Sequence, residues 1–138
     1  MATRSRITFR ANRRVEDSLL NALFDDAWPG HTPEDFQRRL SHSLAYVCAY
    51  RHGELIGFVN IAWDGDKHAF LLDPTVRRDC QHRGIGTALV EQAKTIARKA
   101  GVEWLHVDFD PELTPFYHKC GFRHTEAGLI NLKRRQEP

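Results

Sequence analysis

From Val76 to Thr87 the chain reads Val-Arg-Arg-Asp-Cys-Gln-His-Arg-Gly-Ile-Gly-Thr, residue types whose spacing suits the capture of a phosphorylated ligand. A strand should end at Val76, a basic loop follows, and two glycines open a helix. Glycine lacks a Cβ, so backbone N–H groups around it can approach an anion closely. The first amides of a helix have no intrahelical acceptor, and the helix dipole places partial positive charge there. Arg77, Arg78 and Arg83 against Asp79 add a local cationic surplus. Gln81, His82, Arg83, Gly84, Ile85, Gly86 and Thr87 are therefore candidate contacts to a pyrophosphate. The blander alternative is a helix start whose glycines only permit tight packing. Two phosphate motifs are excluded by residues. A P-loop needs Gly-Lys-Ser/Thr, and no lysine precedes Thr87. A dinucleotide fingerprint needs a third glycine where Leu89 stands.

Downstream stands Val107-Asp108-Phe109-Asp110-Pro111-Glu112-Leu113-Thr114-Pro115-Phe116-Tyr117-His118-Lys119-Cys120-Gly121-Phe122. With the loop, it resembles the GNAT superfamily of acyl-CoA-dependent N-acetyltransferases. Gln81 to Gly86 fits that family's Arg/Gln-x-x-Gly-x-Gly/Ala signature, and Phe116 to Phe122 fits its Phe-Tyr-x-x-x-Gly-Phe element. The two motifs, in order across a helix and a strand, span residues 68–122. The resemblance implies an α+β fold: a mixed, mostly antiparallel central sheet, splayed between strands 4 and 5, with helices on both faces. It implies acetyl-CoA lying in the gap, Thr75 and Val76 pairing by backbone with the pantetheine arm, residues 81–87 cradling the pyrophosphate, and Phe116 on the cofactor side. Two positions depart from the pattern. Asp110 stands where the family often has a cofactor-contacting Asn, and Arg78 where proline is common. Two roles are open to Asp110, serving the cofactor or capping a helix with Pro111 at its first position; Pro115 would kink that helix unless the helix starts at Thr114-Pro115.

Acetyl transfer from a thioester to an amine needs a neutral amine, a donor for the carbonyl oxygen as charge develops, and a proton for the departing thiolate. Holding the two substrates in line supplies much of the rate. By resemblance, Tyr117 points its hydroxyl at the thioester sulfur as proton donor; a phenol, with a reference pKa of about 10, is protonated at neutral pH. The base is open between His68, which strand alternation places on the face of Phe70 and Leu72, Asp73 before Pro74, and bulk water. An acidic and aromatic group, Asp25, Asp26, Trp28, His31, Glu34 and Asp35, lies where a cationic acceptor would enter, although such charges also form ordinary solvated faces.

The elements that must position these groups follow from hydrophobic period and turn residues. Arg6–Arg10 reads as a first strand and Val15–Trp28 as an amphipathic helix. Thr32 reads as the cap of a second helix, with Pro33 at its first position. Leu44–Tyr50 and Glu54–Trp63 form a hairpin about His52-Gly53, and His68–Val76 a further strand. A long helix runs from Gly84 to a stop at Gly101, with Leu89, Ala93, Ile96, Ala97 and Ala100 on one stripe. Val102–Phe109 is a strand, Phe116–Lys119 a short helix, and Phe122–Leu132 two final strands around Ala127-Gly128, through which two copies of the chain could pair as a homodimer.

With 138 residues, the whole of residues 1–138 is expected to be a single N-acetyltransferase domain. At 41% hydrophobic and 28% charged, disorder and fibrous classes are excluded. A net charge of +2 is too weak to make nucleic acid the default partner. Arg4, Arg6, Arg10, Arg13 and Arg14 at one end, and Lys133-Arg134-Arg135 at the other, read as solvated. No apolar run reaches membrane-spanning length, and Met1–Arg6 leads into no signal core. Cys48, Cys80 and Cys120 read as reduced thiols of a cytoplasmic protein. The histidines show no metal-ligand spacing, so no metal is expected. The acceptor is expected to be the amine of a small molecule or peptide; the alternative is a module of the same fold that binds acyl-CoA without turnover.

Overall fold

The computed structural model describes residues 6–134. Contacts divide the chain into two units, one ending at Val107 and one beginning at Asp108. The first holds a five-stranded sheet in the order β1 (Ile7–Ala11), β2 (Ser43–Arg51), β3 (Glu54–Trp63), β4 (His68–Val76) and β5 (Trp104–His106). All neighbours are antiparallel except β4 and β5. The β2–β3 turn works because His52 and Gly53 take φ of 53° and 75°, the left-handed pair of a type I′ hairpin that matches strand twist. At the next turn the Asp64 carboxylate accepts the amides of Asp66, Lys67 and His68 at 2.8, 2.9 and 3.1 Å, and those bonds, Asp66's first, hold its pKa below the usual value.

Helices cover both faces, as the alternation of β3 dictates. Phe58 faces α1 (Asp17–Ala27) and α2 (Phe36–Leu40), meeting Phe24 at 5.8 Å between ring centres, while Phe24 meets Phe36 at 4.9 Å. Leu20, Leu23, Leu40 and Cys48 complete that core. Burying rings such as Phe36 and Phe58 stabilises by about 2–3 kcal/mol each. Gly57 faces α3 (Ile85–Lys99): a Cβ there would lie 3.1 Å from Leu89 Cδ1, so glycine lets the helix sit close. The α3 helix stops at Gly101 (φ 84°), with Gly101 N–H on Arg98 O and Val102 N–H on Ala97 O, both 3.1 Å, the paired bonds of a Schellman end.

The second unit carries a 3-10 turn, Pro111–Leu113, and α4 (Thr114–Lys119). The helix begins at Thr114-Pro115, so Pro115 occupies the first turn, where its missing N–H costs nothing. Gly121 (φ 97°) ends it in the same way as Gly101.

Three expectations need correction. Asp35, not Thr32, caps α2, its carboxylate accepting the Arg38 amide at 3.3 Å. The reason is Asn21, whose side chain takes both the N–H and C=O of Glu34 at 2.9 Å and keeps that residue out of the helix. The strand expected over Val102–Phe109 is only Trp104–His106, since β4 pairs with no more than these three residues. The two final strands do not form among the described residues: Leu129, Ile130 and Leu132 are 71–89% exposed, so no burial fixes a register. The dimer route through those strands therefore lacks its element.

Arg6, Arg10, Arg13, Arg14, Lys133 and Arg134 are exposed; Arg4, Arg135 and the opening Met1–Ser5 lie outside the described residues. Among the described residues no helix is long and apolar enough to cross a membrane, and no cluster of three or more His, Cys, Asp or Glu could hold a metal. Cys48, Cys80 and Cys120 are buried and unbridged.

Candidate active site

The parallel pairing of β4 with β5 joins only His68–Phe70 to Trp104–His106. Beyond Phe70, from residue 71 to residue 76, no strand among the described residues pairs with that edge of β4, which leaves backbone donors and acceptors open. Midway along this edge the strand bulges. Phe58 pairs with Thr75 and Asn60 with Leu72, so Val59 faces both Asp73 and Pro74. Asp73 takes a left-handed φ of 54°, a conformation Asp tolerates better than most residues.

Two groups at the C-terminal end of α1 hold this segment. Trp28 Nε1 donates to Thr75 Oγ1 at 3.0 Å, and Thr75 Oγ1 donates to the Asp73 carbonyl at 2.9 Å. The Asp26 carboxylate accepts the Arg78 amide at 2.8 Å. Arg39 of α2 bonds Asp73 at 3.4 Å and also pairs with Glu34. Burial raises the Asp73 pKa; Arg39 opposes that and Glu34 adds to it.

Past Val76 the loop is braced by ions. The Arg77 guanidinium bonds Asp79 at 2.7 and 3.2 Å and Glu54 at 3.0 Å, with Arg51 3.9 Å from Asp79. Arg77 pulls the Asp79 carboxyl below its usual range. Arg77 is thus committed within the protein, and the cations left for a ligand are Arg78 and Arg83. Gln81 Nε2 donates to the Val76 carbonyl at 2.9 Å, closing the loop on its strand. His82 (φ 62°) and Gly84 (φ 84°) are both left-handed, and the first helical bond is Ala88 N–H to Gly84 O at 3.0 Å. The six amides from residue 82 to residue 87 thereby have no backbone acceptor. Open space lies where a Cβ on Gly84 would project. Such a run of amides is an anion cradle.

In the second unit Tyr117 is buried among rings, stacked on Phe109 at 4.6 Å and edge-on to Phe116 at 4.9 Å and Phe122 at 5.8 Å. No described group accepts from its hydroxyl, and no buried side-chain oxygen lacks a partner, so its oxygen reaches the surface. Burial, then Cys120 and Asp108, push its pKa up to about 12. Asp110 precedes the 3-10 turn, where its carbonyl accepts the Leu113 amide at 2.9 Å while its side chain makes no capping bond. Phe116 is half-buried beside Tyr117.

The sequence matches the Acetyltransferase (GNAT) family over residues 15–122. The chain belongs to the GNAT family. It is 28% identical over 127 residues to serotonin N-acetyltransferase 2, chloroplastic, of Oryza sativa subsp. japonica, covering 88% of this chain and 64% of that protein. The chain thus spans less than two thirds of the length of the curated relatives it matches. A GNAT-family acetyltransferase of Streptococcus pneumoniae TIGR4 shares the fold with a TM-score of 0.78 at 24% identity, over 92% of this chain and 99% of that one. An aminoglycoside N-acetyltransferase solved in complex with CoA shares it with a TM-score of 0.76 at 21% identity, over 98% and 99%.

Thr75, Val76 and Gln81–Thr87 meet at the C-terminal end of β4, with Asp73 beside them. His68 is not among them. It starts β4, eight residues and about 26 Å of strand from Val76, and its Nδ1 lies 2.8 Å from His106 Nε2. Of the acidic group near α1, Asp26, Glu34 and Asp35 are engaged by Arg78, Arg39 and Arg38, and His31 bonds Asn21 at 2.9 Å. Arg39 and Asn21 were not singled out in the sequence, because their partners are 34 and 13 residues away.

Proposed function

We propose that this GNAT chain, with residues 1–138 acting as one domain, is an acetyl-CoA-dependent N-acetyltransferase that acetylates a primary amine of a small molecule or peptide by direct attack in a ternary complex. The observation that carries the proposal is the run of six amides, 82–87, that have no backbone acceptor among the described residues, with open space beside Gly84, at the end of a strand edge left unpaired by β5. They fit a pyrophosphate, with Arg78 and Arg83 as cations nearby, while Thr75 and Val76 on the open edge offer backbone pairing to the pantetheine arm. A relative named for serotonin and a fold neighbour named for an aminoglycoside, both amine acceptors, support a small-molecule acceptor.

In this mechanism the open β4 edge near Asp73 supplies an N–H to the thioester oxygen as it gains charge. Asp73, rather than His68, receives the amine's proton directly or through water: it lies on the bulge beside the edge, and its raised pKa makes it a better base than an ordinary carboxylate. Tyr117 donates a hydrogen bond to the leaving sulfur. The burial that keeps it protonated also weakens it as an acid, so its part is to stabilise the thiolate more than to deliver a full proton. Phe116 and Asp110 are assigned to the cofactor side. Three buried, unbridged thiols support a reducing, cytoplasmic setting.

The test joins calorimetry with CoA to a free-thiol assay using acetyl-CoA and a panel of amines. Heat on binding together with amine-dependent thiol release is expected. Binding without release under any amine would favour the non-catalytic module, and absence of CoA binding would overturn the assignment.

A further inference from the structure

The sheet face that carries Asp73 runs on into an uncovered cluster of rings. His68 pairs with Trp104 and Phe70 with His106 across the parallel β4–β5 ladder, so these four side chains share a face with Leu72. Leu72 pairs with Asn60 and Thr75 with Phe58, which puts that face on the side of α1 and α2. Asp73 reaches Arg39 of α2 on the same side. Phe70 and Trp104 are nonetheless 42% and 50% exposed, a costly arrangement for two large apolar rings. Phe70 is held by a neighbour. His106 stacks on Phe70 at 4.7 Å and 18°, and its edge is fixed by the 2.8 Å contact with His68. The result is a cluster of rings partly open to solvent.

At the other end of the strip lies a charge imbalance. Two carboxylates, Asp73 and Glu34, share the one guanidinium of Arg39, leaving one negative charge in excess. Phe70 and Asp73 are three residues apart, about 10 Å of strand. A ring set against Phe70 and an ammonium set against Asp73 each take up part of that gap, which leaves room for a short alkyl spacer.

We propose that this strip is the acceptor subsite, and that the acceptor is a primary amine carrying an aromatic ring. Its ring packs on Phe70, His106 and Trp104, and its ammonium lies against Asp73 and Glu34 before losing a proton. Stacked and edge-on ring contacts favour an aromatic over an alkyl group of like size, and the excess carboxylate selects a cation. His68 then acts as a positioning residue that sets the His106 ring, which accounts for a histidine about 16 Å of strand from Asp73. The inference rests on the N-acetyltransferase assignment.

The experiment uses the full chain, saturating acetyl-CoA and three amines: 2-phenylethylamine, 2-cyclohexylethylamine and hexylamine. The expected kcat/KM is at least tenfold higher for the phenyl compound than for either alkyl one. Phe70→Leu and Trp104→Leu, both at exposed positions, are expected to cut that preference below threefold by raising KM for the phenyl compound. CoA calorimetry on each variant verifies folding. Equal rates for all three amines would overturn the inference while leaving the acetyltransferase assignment standing, as would variants that keep the parent's preference. A fall in molecular mass by light scattering on Phe70→Leu would also overturn it, since the rings would then be a contact between copies. Thiol release with none of these three amines, despite CoA binding, would overturn the inference, while release with another amine of the wider panel would keep the acetyltransferase assignment.

Discussion

Gly84 and Gly101 bracket α3 with the same backbone angle, φ 84°, and in each case no atom lies within 4 Å of where a Cβ would sit. Replacing either by alanine therefore introduces the same left-handed strain and no clash. That strain is worth about 1–2 kcal/mol, or roughly 3–8 °C in Tm for a chain of this size. Gly84 differs in one respect: it lies within the run of amides from 82 to 87, so in the proposed cradle its new methyl group would crowd the phosphate. A phosphate held off by one methyl loses at least one charge-assisted hydrogen bond, worth about 1.5–3 kcal/mol. The expected result is an acetyl-CoA Kd weakened about 10- to 150-fold in Gly84→Ala, with Gly101→Ala binding as the parent does. Differential scanning calorimetry and titration calorimetry on the three proteins supply both numbers. Equal Tm losses with equal Kd values would refute the cradle, because strain alone would then explain Gly84.

Tyr117→Phe is expected to lower kcat at least tenfold with the acetyl-CoA Kd unchanged, and an unaltered kcat would remove the hydroxyl from the mechanism. Because burial lifts the Tyr117 pKa to about 12, its neutral form stabilises the fold fully below about pH 10 and that contribution is lost as pH rises through 12; the parent's Tm should fall more steeply than the variant's over that window. Asp73→Asn should abolish the acid limb of kcat/KM, which in the parent lies at higher pH than an ordinary aspartate would place it, since the Asp73 pKa is raised. An identical acid limb in the variant would assign it elsewhere. Gly57→Ala puts a Cβ 3.1 Å from Leu89 Cδ1 and 3.2 Å from Ala49 Cβ, so equilibrium denaturation should show a loss of about 1–3 kcal/mol.

What the sequence made legible was local. The type I′ turn at His52-Gly53, the helix stop at Gly101 and the loop from Gln81 to Thr87 each depend on a glycine or a helix end acting on its own neighbours, so a short window contains the cause. The element order and the α+β class followed from such windows. What escaped depends on partners far along the chain. Asn21 moves the start of α2 by clamping Glu34, Arg39 joins Glu34 to Asp73, and His68 meets His106. The residues after Phe122 have strand-like composition, yet alternation alone supplies no neighbour, and their apolar side chains stay exposed.

In the proposed assignment, the end of α1 serves both substrates at once. Asp26 secures the backbone of the loop proposed for the donor while Trp28, two residues on, secures the bulge proposed to face the acceptor. Altering this turn to admit a new amine would loosen the grip on the thioester as well, tying acceptor choice to donor affinity. The ring cluster on β4 and β5 would carry no such double duty, so as the proposed acceptor subsite it is the part of this chain that evolution, or a protein engineer, could rewrite with the least collateral damage.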